Sequence, residues 1–133
     1  MKPINKLIIV KYNILKVGFD FMGYRVTDQS KISIHHFDKR CNGGKDDLSN
    51  CCAIMREPHD YLHIIEGIDR RKYNAINEQM MIENRLGKLD IDCMRRIDEI
   101  LCEFEDKHSD DCTKSGKLLI LDSYKERYFR ESA

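Results

Sequence analysis

Residues 31–37 read Lys31-Ile32-Ser33-Ile34-His35-His36-Phe37, and residues 48–63 read Leu48-Ser49-Asn50-Cys51-Cys52-Ala53-Ile54-Met55-Arg56-Glu57-Pro58-His59-Asp60-Tyr61-Leu62-His63. In the first stretch Ile32 and Ile34 alternate with Ser33 and His35, the period of a strand, and that strand ends in two histidines. Gly43 and Gly44 among polar residues mark 38–47 as a loop, after which 48–55 reads as the returning arm of a hairpin. Pro58 suits the first turn of a helix, where its missing N–H costs nothing. That helix carries His59, Leu62, His63 and Ile65 and breaks near Gly67. A hairpin leading into a helix predicts an α+β fold.

Working outward, Asp69 is placed to cap a helix over 69–86, with Tyr73, Ile76 and Met80 on one stripe and Gly87 as its stop. Asp90 is placed to cap another over 91–107, where Met94, Ile97, Leu101 and Phe104 recur at the same spacing. Both read as ordinary amphipathic packing helices. Upstream, 6–15 is rich in β-branched and long apolar side chains and reads as extended. The expected organisation is one domain over 1–108, with its hairpin-and-helix core at 31–66, followed by an extension over 109–133. The stretch 117–129 within that extension is ambiguous between strand and helix.

With 133 residues, 41% hydrophobic and 35% charged, the chain has the composition of one folded domain. Its apolar runs are far shorter than the ~20 residues that span a bilayer, so no membrane association is expected and the expected location is cytoplasmic. Lys plus Arg and Asp plus Glu both number 23, yet residues 1–45 hold nine basic against three acidic side chains, a net +6 that leaves −6 for the rest. A basic front and an acidic back suit a chain that meets nucleic acid on one side only. The six cysteines form no CxxC pair, which argues against a zinc ribbon and for free thiols in a reducing compartment.

The histidines carry the chemistry. His59 and His63 are four residues apart on one helix face, about 5–6 Å apart at Cβ, which offers two imidazoles, half of a tetrahedral site, to one cation. His35 and His36 are adjacent on a strand, so they point to opposite faces unless the strand kinks, and one can bind a metal while its neighbour does something else. The fifth, His108, reads as a solvated helix end.

Taken together, Ile34-His35-His36-Phe37, the loop Cys41-Asn42-Gly43-Gly44, Leu48-Ser49-Asn50, and His59 with His63 resemble the HNH, or ββα-metal (His-Me finger), nucleases, in their three-histidine, colicin-like branch. The resemblance covers 31–66, and it implies a hairpin packed on a helix with one catalytic divalent ion, Mg2+, Mn2+ or Zn2+, between them. By that resemblance His35, His59 and His63 are the metal ligands, His36 is the general base that takes a proton from the attacking water, and Asn50 hydrogen-bonds near His36 and orients it. Arg40, Lys39 and Lys45 are then placed for flanking phosphates of DNA. The CxxC zinc knuckle of many such nucleases is missing: the residues before His59 are Met55-Arg56-Glu57-Pro58.

The implied activity is metal-dependent hydrolysis of DNA phosphodiester bonds by a phage or mobile-element endonuclease. The alternative is a non-catalytic protein on the same scaffold, such as an inhibitor of a bacterial, CRISPR-type defence system, using the acidic C-terminal helices to meet a protein partner. A purely structural zinc site fits less well, because such sites are closed by four protein ligands.

Overall fold

The computed structural model of the chain describes residues 3–39, 43–108 and 127–129. Strands β1 (Ile32–His36) and β2 (Cys51–Met55) pair antiparallel, with Ile32 opposite Met55 and His36 opposite Cys51. All five residues of β2 are buried, since three helices among the described residues pack on it, whereas β1 is buried only in part.

Helix α3 (Arg56–Ile68) follows β2 directly and buries Pro58, Tyr61, Leu62 and Ile65. Asp69 then caps α4 (Arg70–Leu86) by accepting from the Lys72 N–H at 3.2 Å, and Gly87 ends it at φ 73°, a left-handed conformation that side chains disfavour. Asp90 caps α5 (Ile91–Lys107) through the Cys93 N–H at 3.1 Å, and Met94, Ile97, Leu101 and Phe104 are buried as their spacing predicts. Helix α4 packs on both α3 and α5, so the hairpin and helices form an α+β arrangement.

Upstream, the extended reading of 6–15 is corrected. Pro3–Lys11 forms helix α1 and Ile14–Val17 the single turn α2. Ile8, Ile9 and Tyr12 turn inward while Leu7 and Val10 stay 55% and 79% exposed. In so short an apolar run neither period dominates, and packing against the hairpin overrides the β preference of Ile and Val. Ile14, Phe21, Met22 and Tyr24 complete the core.

Of the 117–129 stretch, only 127–129 is described. There Arg127, 2% exposed, reaches Asp98 and Glu105 of α5, each at 2.9 Å, and tethers this segment to the helix. Among the described residues Cys51, Cys52, Cys93 and Cys102 form no disulfide with one another, and Cys41 and Cys112 lie outside the described residues. Among the described residues no helix is long and apolar enough to cross a membrane.

Two carboxyls sit inside this core. Asp20 accepts from the N–H groups of Met22, Tyr24 and Met55 at 2.9–3.0 Å, fastening the chain after α2 to the end of β2. Glu83 is fully buried, its Oε1 accepts from the Asp90 N–H at 3.1 Å, and burial pushes its pKa up to about 9. The fold holds the proton on Glu83, so this group's contribution is fully present below its ordinary pKa of 4.5 and is lost as pH rises towards 9. Glu83→Gln keeps the acceptor for Asp90 and removes the titration. Its Tm is expected to exceed that of the wild type by a margin that widens from pH 5 to pH 8; a margin independent of pH would contradict the assignment.

Candidate metal centre

The pleat of β1 sends Ser33 and His35 to the face covered by α3, and α3 presents His59 and His63 one turn apart towards them. Ring centroids lie 5.4 Å apart for His35 and His59, 6.1 Å for His35 and His63, and 4.8 Å for His59 and His63. One nitrogen from each ring lies within 4.8 Å of the others. The three histidines singled out as ligands therefore converge.

The neighbours fix which nitrogen each ring offers. The Ser33 hydroxyl donates to the Ile54 carbonyl at 3.0 Å, so at 2.8 Å from His59 Nδ1 it can only accept, and His59 carries its proton on Nδ1. His63 Nδ1 lies 3.1 Å from Glu66 Oε1, a carboxylate oxygen that only accepts, so His63 is protonated there too. Asn77 donates its Nδ2 to the Phe37 carbonyl at 3.4 Å, which turns Oδ1 to accept from His35 Nε2 at 2.7 Å and leaves Nδ1 of His35 bare. The consequence is specific. Nε2 of His59, left with its lone pair, stands 3.1 Å from Nε2 of His63, two ring nitrogens close enough for one cation to join.

Burial completes the donor set. His35 is 1% exposed, and burial, with the nearby imidazoles adding to it, lowers its pKa to about 4. Burial followed by the charge of His63 lowers His59 to about 4 as well. Both rings are neutral at physiological pH, as imidazole ligands must be. The His63 side chain is 44% exposed, so the centre opens to solvent on that side, as a three-ligand site with free positions requires.

His36 faces away from this centre, as strand alternation dictates. With Ile32, Ser33, Ile34, Arg56, Asn5 and Ser30 it lines a groove of about 540 Å3. Ser33 belongs to both places, so groove and centre adjoin along β1, and the charge of His36 is close enough to contribute to the lowering of His59.

The expected bond from Asn50 to His36 is not formed. Asn50 instead closes the hairpin loop: its Oδ1 accepts from the Asp38 N–H at 2.9 Å, and its Nδ2 donates to the carbonyls of Asp38 at 3.0 Å and Lys45 at 2.9 Å. The side chain that meets His36 Nε2 is Asp46, whose carboxylate accepts from it and leaves Nδ1 as the nitrogen free to take a proton. Asn50 thus holds the backbone next to Asp46 rather than His36 itself. Gly44 is required in this loop, because a Cβ there would meet the Asp38 carbonyl oxygen at 1.8 Å.

Of the cations assigned to phosphates, Lys39 is engaged at 2.7 Å with Glu66, the carboxylate that orients His63. Burial would raise the pKa of Glu66, but hydrogen bonds from Lys39 and His63 outweigh it and hold the carboxyl below its usual range. Lys45 is exposed, and Arg40 lies outside the described residues.

Ser33, Glu66, Asn77 and Asp46 escaped the sequence reading. Ser33, two residues before His35, and Glu66, three after His63, share a face with the ligand they serve, so local periodicity carried a trace of them. Asn77 and Asp46 reach their partners only through tertiary structure. Asn77→Ala is expected to weaken binding of a divalent ion about 10–100-fold in calorimetric titration, because His35 loses the bond that sets its tautomer; an unchanged affinity would refute that role. Comparison with protein-family models, with curated proteins and with solved structures finds no match.

Proposed function

We propose that the protein is a metal-dependent endonuclease that hydrolyses DNA phosphodiester bonds, with His35, His59 and His63 holding one divalent ion and His36 acting as general base. The observation that carries this reading is the convergence of His59 Nε2 and His63 Nε2 at 3.1 Å with His35, adjoined by an imidazole braced on a carboxylate. A bound ion at such a centre supplies Lewis-acid stabilisation of a phosphate oxygen and of the leaving oxygen. The chain supplies the rest. Asp46 holds His36 Nε2–H, so that Nδ1 accepts the proton of the attacking water. Arg56 lines the groove beside His36 and is placed for a phosphate, as is the exposed Lys45 at its loop.

The test is incubation with supercoiled plasmid under Mg2+, Mn2+ or Zn2+, and under EDTA. Relaxed or linear product that requires a metal is the expected outcome. Intact plasmid under every metal, from protein shown to bind one, would favour the non-catalytic binding protein.

A further inference from the structure

His36 has a second set of neighbours. Across the hairpin it stands opposite Cys51, and paired residues of antiparallel strands project to the same face. Cys51 is fully buried, and its thiol lies 3.7 Å from the Lys45 carbonyl that Asn50 also holds, which brings the next residue, Asp46, against His36. One ligand atom each from His36, Asp46 and Cys51 lies within 4.8 Å of the other two.

We propose that His36, Asp46 and Cys51 form a second metal site, for a thiophilic divalent ion of the Zn2+ class, and that filling it withdraws His36 from the reaction. The first half stands on this geometry alone; the second rests on the nuclease reading. A sulfur, an imidazole nitrogen and a carboxylate oxygen are a donor set for Zn2+, Co2+ or Cd2+ and not for Mg2+, which takes oxygen ligands. Ligands of a tetrahedral zinc stand roughly 3.3–3.8 Å apart, from bond lengths of about 2.0–2.3 Å, so the site closes by a shift of about 1 Å. Two of the three ligands can make that shift easily: the Asp46 side chain is 41% exposed and lies on a loop, and His36 ends its strand. Binding forms metal–sulfur, metal–nitrogen and metal–oxygen bonds and releases the Cys51 thiol proton to solvent. The same imidazole cannot then accept a proton from water, so Mg2+ would support the reaction and excess Zn2+ would silence it.

Titration of the metal-free full chain with Co2+, read by absorption, tests the site without any nuclease assay. The wild type is expected to take two equivalents, one of them producing the near-ultraviolet thiolate-to-cobalt band. Cys51→Ser is expected to lose that band and one equivalent, while His59→Ala loses the other equivalent and keeps the band. Because Cys51 is buried, Asp46→Asn on the exposed loop gives an independent reading, with the thiolate-bearing equivalent weakened at least tenfold. A single equivalent in the wild type, or a thiolate band that survives Cys51→Ser, overturns the proposal. Where plasmid cleavage is observed with Mg2+, added Zn2+ is expected to suppress it in the wild type but not in Cys51→Ser. Absence of cleavage beside an intact thiolate band would sink the nuclease reading and leave the site standing.

Discussion

Substituting His59 by alanine is expected to abolish divalent-ion binding at the three-histidine centre, with a loss beyond the roughly 10²-fold upper range for residues that merely orient a ligand. His59 is the middle of the constellation: its Nε2 faces His63 at 3.1 Å, and its Nδ1 is held by Ser33 at 2.8 Å. Without it two imidazoles remain on separate elements, one from β1 and one from α3. Metal protection against unfolding reports the loss independently. At a hundredfold excess of ion over Kd the wild type gains about 2.7 kcal/mol, and the variant is expected to gain none from this centre. Because His59 is not part of the apolar core, the circular dichroism of the variant should match that of the wild type. A variant that melts normally and keeps full metal protection would show that the ion is held elsewhere.

His36→Ala is expected to lower the rate of plasmid cleavage by about 10²–10⁴-fold while leaving metal affinity at the three-histidine centre nearly intact. The asymmetry follows from the strand. His36 and His35 are neighbours in sequence but project from opposite faces of β1, so removing one leaves the other's bonds to Asn77 and to the centre in place. A general base acts on the transition state more than on the ground state, so the rate should fall with little change in KM. A variant that cleaves at the wild-type rate would remove His36 from the chemistry and direct attention to the centre alone.

The hairpin, the helix with its two histidines, and the two capped helices after it were legible because each is specified locally. Alternation defines β1, the spacing of His59 and His63 defines a helix face, and Asp69, Gly87 and Asp90 mark helix boundaries by side-chain and backbone preferences that need no tertiary context. Helix α1 was not legible, because Leu7, Ile8, Ile9 and Val10 satisfy either period and only packing against the hairpin selects one. At the site the same division holds. His59 and His63 share a helix face four residues apart, and His35 lies in the strand of the same hairpin-and-helix stretch, whereas Asn77 lies 42 residues from His35 and Asp46 reaches His36 across the hairpin loop. The role expected of Asn50 was misplaced for a related reason: the resemblance put it near His36, but its amide has both a donor and an acceptor, and the backbone groups of the loop claimed both.

Histidine ring nitrogen NMR on the 15N-labelled protein tests the metal centre most directly, because it reads the protonation of each imidazole nitrogen and its ligation at once. In the metal-free protein near pH 7, His59 and His63 should be protonated on Nδ1 and His35 on Nε2. At saturation with Zn2+, Nε2 of His59, Nε2 of His63 and Nδ1 of His35 should all shift together, with the protons on Nδ1 of His59 and His63 and on Nε2 of His35 retained. Three rings with the opposite tautomers, or ring signals of His35, His59 and His63 that stay unmoved at saturating Zn2+, would contradict the three-histidine centre on which the account rests.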